Sequence, residues 1–250
     1  MKFLKNVFRV FILVFVYPTI VFSNEFEIDP RVIYGKLDNG LTYYIRKNDK
    51  PSDKVILNLT IKAGSLMESE KQLGLAHLLE HMAFNGSKNF PKRDVDSYLN
   101  SIGLSVGADF NAFTGRENTV YEFQIPINKK GAIEKGVFIL SDIASNLSLE
   151  PEAFERERKI VEEEWREDAG SEDKYYDQVL SSLLNNSLHF KRKPIGEIEI
   201  IRNFEYDDAI AYYKKWYQPN AMAIFAVGNV DPKKIENLIK KYFSDKKNTS

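Results

Sequence analysis

Apolar and polar positions change period several times along this chain, and each change marks an element. Val55, Leu57, Leu59 and Ile61 alternate with Asn58, Thr60 and Lys62, the two-residue period of a strand with one buried face. Before it, Tyr34 to Leu37 and Leu41 to Arg46 flank Asp38-Asn39-Gly40, which predicts a hairpin. From about Gln72 to Phe84 the spacing becomes helical, with Leu75, Leu78, Leu79 and Met82 on one face. Similar spacing predicts helices from Asp94 to Ile102, Ala132 to Leu147, Pro151 through Trp165, about Asp173 to Leu184, Asp207 to Trp216 and Pro232 to Phe243. Leu104 to Phe113, Thr119 to Ile125 and Ala221 to Val227 read as strands. Strands early, with helices between and after them, predict an α+β fold in which a mixed, mainly antiparallel sheet is covered by helices.

The polar face of the Gln72 to Phe84 helix carries the chemistry. His77, Glu80 and His81 stand at i, i+3 and i+4 and share one face, opposite the leucines. Two imidazoles one turn apart, a third protein donor from elsewhere and an open fourth position describe a catalytic zinc site, with the intervening glutamate as general base. The chain has only 3 histidines, and two of them fall in this pattern. The plain alternative is a pair of core histidines beside a solvated glutamate.

Composition narrows the donors and the partners. Among 250 residues there is no cysteine, which removes disulfides, thiolate ligands and a cysteine nucleophile together. The third donor is therefore a carboxylate or His189. Glu155, Glu157, Glu162, Glu163 and Glu164 all lie on the helix opened by Pro151, and spacing alone does not choose among them. Glu157 and Glu164 are two turns apart on one face, so one could bind metal while the other orients a ligating histidine. A formal charge of −1, with Lys and Glu interspersed, gives no reason to expect nucleic acid or an anionic membrane as partner. Lys2, Lys5 and Arg9 precede an apolar run from Val10 to Phe22, which reads as a secretory signal over residues 1–23 removed after about Ser23. An uncleaved anchor is the alternative, although the run is short for a span and contains Pro18. Loss of the segment leaves 32 Lys+Arg against 36 Asp+Glu, an exported, mildly acidic domain of residues 24–250 without a stable membrane span. The loop Lys191-Arg192-Lys193 reads as solvated.

His77-Leu78-Leu79-Glu80-His81, with Gly64-Ser65, Glu68 and Gly74 before it and Met82-Ala83-Phe84-Asn85-Gly86 after it, resembles the inverzincin peptidases, the family of pitrilysin, insulin-degrading enzyme and the mitochondrial processing peptidase. Within that family the look is nearest to bacterial exported zinc proteases, and the likeness runs from about Tyr34 to Phe243. The resemblance implies one Zn2+ per chain held by His77, His81 and Glu164, with Glu157 in support and Glu80 as base. It implies that Asn111-Ala112-Phe113-Thr114 is an edge strand that pairs with the backbone of an extended peptide substrate. The fold implied is a single half-domain of the pitrilysin type, the N-terminal catalytic half. The interval from His81 to Glu164 is several residues longer than the family's commonest spacing. Active members enclose substrate between this domain and a second homologous half, so the expectation is a zinc endopeptidase that works with such a half or a partner chain. The alternative is a non-catalytic peptide-binding or assembly subunit of a protease complex.

Overall fold

The computed structural model describes residues 28–50, 52–169, 179, 181–184 and 187–248. The expected signal segment lies outside them, as does most of the helix expected from Asp173 to Leu184. The strands are β1 (Val32–Lys36), β2 (Thr42–Lys47), β3 (Lys54–Ile61), β4 (Phe110–Thr114), β5 (Thr119–Pro126) and β6 (Met222–Gly228). They form one sheet in the order β1-β2-β6-β3-β5-β4. Only β2 and β6 run parallel; the other neighbours are antiparallel, so the sheet is mixed and mainly antiparallel as the pattern predicts.

The alternation in β3 is realised fully, with Val55, Leu57, Leu59 and Ile61 all at 0% exposure. That face meets the helices. They are α1 (Leu75–Met82), α2 (Asp94–Ser101), α3 (Ala132–Ser145), α4 (Pro151–Ala169), the short α5 (Leu188–Lys191) and α6 (Ile198–Ile201), α7 (Tyr206–Trp216) and α8 (Pro232–Phe243). Helix α3 packs on β3 and β5, α8 on β2 and α3, and α1 on β4, α4 and α7. The other face of the sheet carries a row in register across all six strands: Tyr34, Tyr44, Phe225, Asn58, Glu122 and Asn111. Its side chains are half-buried or exposed. Among the described residues no helix is long and apolar enough to cross a membrane.

Two expected boundaries move, for local reasons. Residues 104–109 do not extend β4, because Asp109 folds back on Ser105 through its backbone N–H (2.9 Å) and its carboxylate (3.2 Å). Helix α1 begins at Leu75 rather than near Gln72, since Gly74 takes φ 101° and Glu68 holds its entry. It ends at Met82, where the next three residues tighten into i→i−3 bonds. The Lys191 to Lys193 loop is not simply solvated. Arg192 is 6% exposed, its carbonyl accepts a bond from Ser65 Oγ at 2.7 Å, and its guanidinium pairs with Glu70 at 2.7 Å.

Candidate metal centre

Helix α1 is mounted by its apolar face, with Leu75, Leu78 and Leu79 at 0% and Met82 at 1% exposure, so the opposite face is fixed in direction. Glu68 anchors its first turn: Oε2 accepts from Gly74 N–H at 3.1 Å and Oε1 from Ala76 N–H at 2.8 Å. Burial pushes the Glu68 carboxyl up to about 8, against the opposing pull of the Ala76 and Gly74 N–H groups and Arg192. Helix α4 packs on α1 and brings its carboxylates to the imidazoles.

Three donor atoms converge. His77 Nε2 and His81 Nε2 lie 3.2 Å apart, and Glu164 Oε2 lies 3.6 Å from the first and 3.5 Å from the second. Donors about 2.0–2.1 Å from a tetrahedral zinc are separated by roughly 3.3–3.4 Å, so the triangle has the edge lengths of a zinc face. Two imidazoles and a carboxylate are a donor set zinc accepts, and the residues therefore fit the ion. His81 Nδ1 faces Glu157 Oε2 at 3.3 Å, and a neutral ring that donates its Nδ1 proton to that carboxylate offers Nε2 to a metal.

Electrostatics separates the two rings. Burial, then the neighbouring His81, lowers His77 to about 4, so it is neutral at physiological pH and ready to ligate. Burial also pulls His81 down, but the Glu157 bond and the Glu164 and Glu80 charges outweigh it and raise the ring overall. Glu157 moves the opposite way: burial would raise it, and the bond to His81 with help from Asn85 brings it below the ordinary range. Glu80 is 7% exposed, and its carboxyl is raised by burial against the bond from Thr114 and the charge of His81. Its Oε2 accepts from Thr114 Oγ1 at 2.8 Å.

The donors open into a cleft of about 410 Å³ whose walls include Glu80, Phe110, Asn111 and Ala112. Strand β4 is the last of the sheet, so its outer edge borders this cleft. Asn111 and Ala112 line the cleft, Thr114 reaches Glu80, and Phe113, 54% exposed, is not among its walls. Glu155 pairs with Arg158, Glu162 with Arg166 and Arg202, and Glu163 with Arg166, all away from the imidazoles. His189 is exposed beside Glu117 and is no part of the cluster. Sequence reasoning missed Asn85, whose Nδ2 bonds the His81 carbonyl at 3.1 Å while Arg156 holds its Oδ1 at 2.9 Å. The signal was its place four residues after His81.

A two-imidazole, one-carboxylate cluster on two packed helices, beside the end strand of the sheet, defines a metallopeptidase type of site. The family profile described as Insulinase (Peptidase family M16) matches residues 43–195, and one described as Peptidase M16 inactive domain matches residues 203–250. The chain belongs to the insulinase family of peptidases, M16. It is 35% identical over 222 residues to a probable zinc protease PqqL of Haemophilus influenzae, covering 89% of this chain and 24% of that one. With the mitochondrial-processing peptidase subunit beta of Saccharomyces cerevisiae it shares 34% over 213 residues, 83% of this chain and 43% of the relative. The crystal structure of the periplasmic protease PqqL from Escherichia coli superposes with a TM-score of 0.86 at 34% identity, over 90% of this chain and 25% of that one. The chain thus spans about a quarter of the PqqL proteins it matches. The fold is that of one pitrilysin-like unit.

Proposed function

We propose that this chain is the zinc-binding part of an endopeptidase, with His77, His81 and Glu164 as the ligands, Glu157 behind His81, and Glu80 as general base. The observation that carries the reading is the donor triangle of 3.2, 3.5 and 3.6 Å with Glu80 adjacent to it. When bound there, zinc supplies a Lewis acid that activates the attacking water and polarises the scissile carbonyl. Glu80 takes the proton of that water and delivers it to the leaving amine. The β4 edge at Asn111 and Ala112 aligns an extended peptide by strand addition, which tolerates many side chains. A second homologous half or partner chain closes over the peptide, in keeping with the greater length of the PqqL relatives and the subunit status of the yeast one. The basic and apolar N-terminus and the periplasmic PqqL relative support export.

A second reading, a non-catalytic peptide-binding subunit, takes support from the inactive-domain profile over residues 203–250. The presence of a base and three donors favours catalysis. Glu80→Gln in the zinc-loaded, full-length protein separates the two: it retains one zinc and loses about 10²–10⁴-fold in peptide turnover. Turnover at the wild-type rate removes Glu80 from the mechanism, and no turnover by the wild type favours the second reading.

A further inference from the structure

The geometry points to Thr114 as the residue that positions the general base. This inference rests on the role proposed for Glu80. Thr114 closes β4, and its hydroxyl donates to Glu80 Oε2 at 2.8 Å, while among the described residues no side chain donates to Oε1. One oxygen of the base is thereby fixed and the other is left to the cleft. A carboxylate tied at a single oxygen keeps its plane and distance to the reacting water, a gain in orientation rather than in binding.

The hydroxyl is itself held in place. Thr114 pairs in register with Thr119, the connecting turn is closed by Gly115 N–H to Asn118 O at 2.7 Å, and Thr119 Oγ1 bonds Ala63 O at 2.9 Å. The turn is clamped from outside as well: Ser65 N–H reaches Gly115 O at 3.2 Å and Leu66 N–H reaches Arg116 O at 2.9 Å. A Cβ at Gly64 would sit 2.3 Å from Gly115 O, so only glycine lets the two backbones approach this closely. The strand whose outer edge receives the peptide at Asn111 and Ala112 therefore also sets the base at its far end. Substrate alignment and base alignment are fixed by one rigid element.

The test compares Thr114→Val, Thr114→Ala and Thr114→Ser with Glu80→Gln in the full-length, zinc-loaded protein, using a quenched fluorogenic peptide, zinc analysis and a crystal structure of the valine variant. Removing the hydroxyl lowers kcat about 10- to 100-fold with KM and zinc content unchanged, and serine restores kcat to within about threefold. The crystal structure of the valine variant shows the Glu80 carboxyl turned from its position. Wild-type kcat in the valine and alanine variants, alongside an inactive Glu80→Gln, overturns the role of Thr114 while leaving Glu80 as base. A KM rise at constant kcat, or a fall in activity matched by zinc loss, also overturns it. An active Glu80→Gln instead removes the reading beneath it.

Discussion

Gly196→Ala perturbs a contact outside the metal cleft and is expected to loosen the site. Gly196 takes φ 80°, and a Cβ there would lie 2.4 Å from Leu73 O, 2.5 Å from Gly74 Cα and 2.6 Å from Gly74 N. All three are backbone atoms at the entry of α1, so none can rotate aside. The separation must grow by about 1 Å to reach ordinary contact. The left-handed conformation alone costs alanine about 1–2 kcal/mol. The shift also strains two hydrogen bonds, Glu197 N–H to Leu73 O (3.4 Å) and Trp165 Nε1–H to Gly196 O (3.3 Å), which together contribute about 1–2 kcal/mol. A total near 3 kcal/mol lowers Tm by roughly 6–12 °C in a protein of this size. Trp165 adjoins Glu164 and Gly74 opens the helix of both histidines, so the same shift moves the third donor against the other two. Ligand distances in a zinc site hold to within about 0.2 Å, so a donor displaced by more than its side chain can take up weakens binding, and we expect zinc affinity to fall about tenfold. Gly103→Ala is the control, because Gly103 has φ 91° and open space where its Cβ would be. It should lose only the conformational part, about 1–2 kcal/mol, and keep its zinc affinity. Thermal melting of the metal-free protein and competition for zinc with a chromophoric chelator measure both quantities. Equal losses in the two variants, with zinc binding intact in both, would show that the Gly196 contact does not hold the site.

Two further outcomes follow from the same geometry. Glu164→Gln should weaken zinc binding by more than the roughly 10- to 100-fold expected of an outer partner, while Glu163→Gln, which breaks only the surface pair with Arg166, should change it less than twofold; chelator competition decides, and the reverse order would move the ligand by one residue. Glu68 has a folded-state carboxyl raised from 4.5 to about 8, so its protonated form is favoured by folding: that contribution is complete below pH 4.5 and is lost as pH rises through 8. Metal-free Glu68→Gln should therefore show a flatter decline of the unfolding free energy, measured by urea titration, between pH 5 and pH 8 than wild type, by up to a few kcal/mol, and identical slopes would contradict this.

Much of the fold was legible because its signals are local. The alternation of β3, the leucine face of α1, and Pro151 and Pro232 at helix starts each depend on neighbours within a few residues. The insertion of β6 between β2 and β3 was not legible, since nothing in Met222–Gly228 states which distant strands it will pair with. The same division holds at the site. His77, Glu80 and His81 declare themselves by helical spacing, and a seven-residue interval puts Glu157 and Glu164 on one face but does the same for Glu155 and Glu162, so which of the acidic residues reaches the imidazoles depends on how α4 packs on α1. Arg192 sits in a stretch that reads as solvated because its burial comes from Ser65 and Glu70, more than a hundred residues earlier. Thr114 was visible as part of an edge strand, whereas the direction of its hydroxyl depends on its register against Thr119 across the turn closed by Gly115 and Asn118.

Anomalous scattering at the zinc edge from crystals of the zinc-loaded protein locates the ion and its ligands. One site per chain is expected, about 2.0–2.1 Å from His77 Nε2, His81 Nε2 and a Glu164 oxygen, with Glu80 nearby and not bonded to the metal. Zinc absent from those three atoms, or ligated by Glu80, would contradict it.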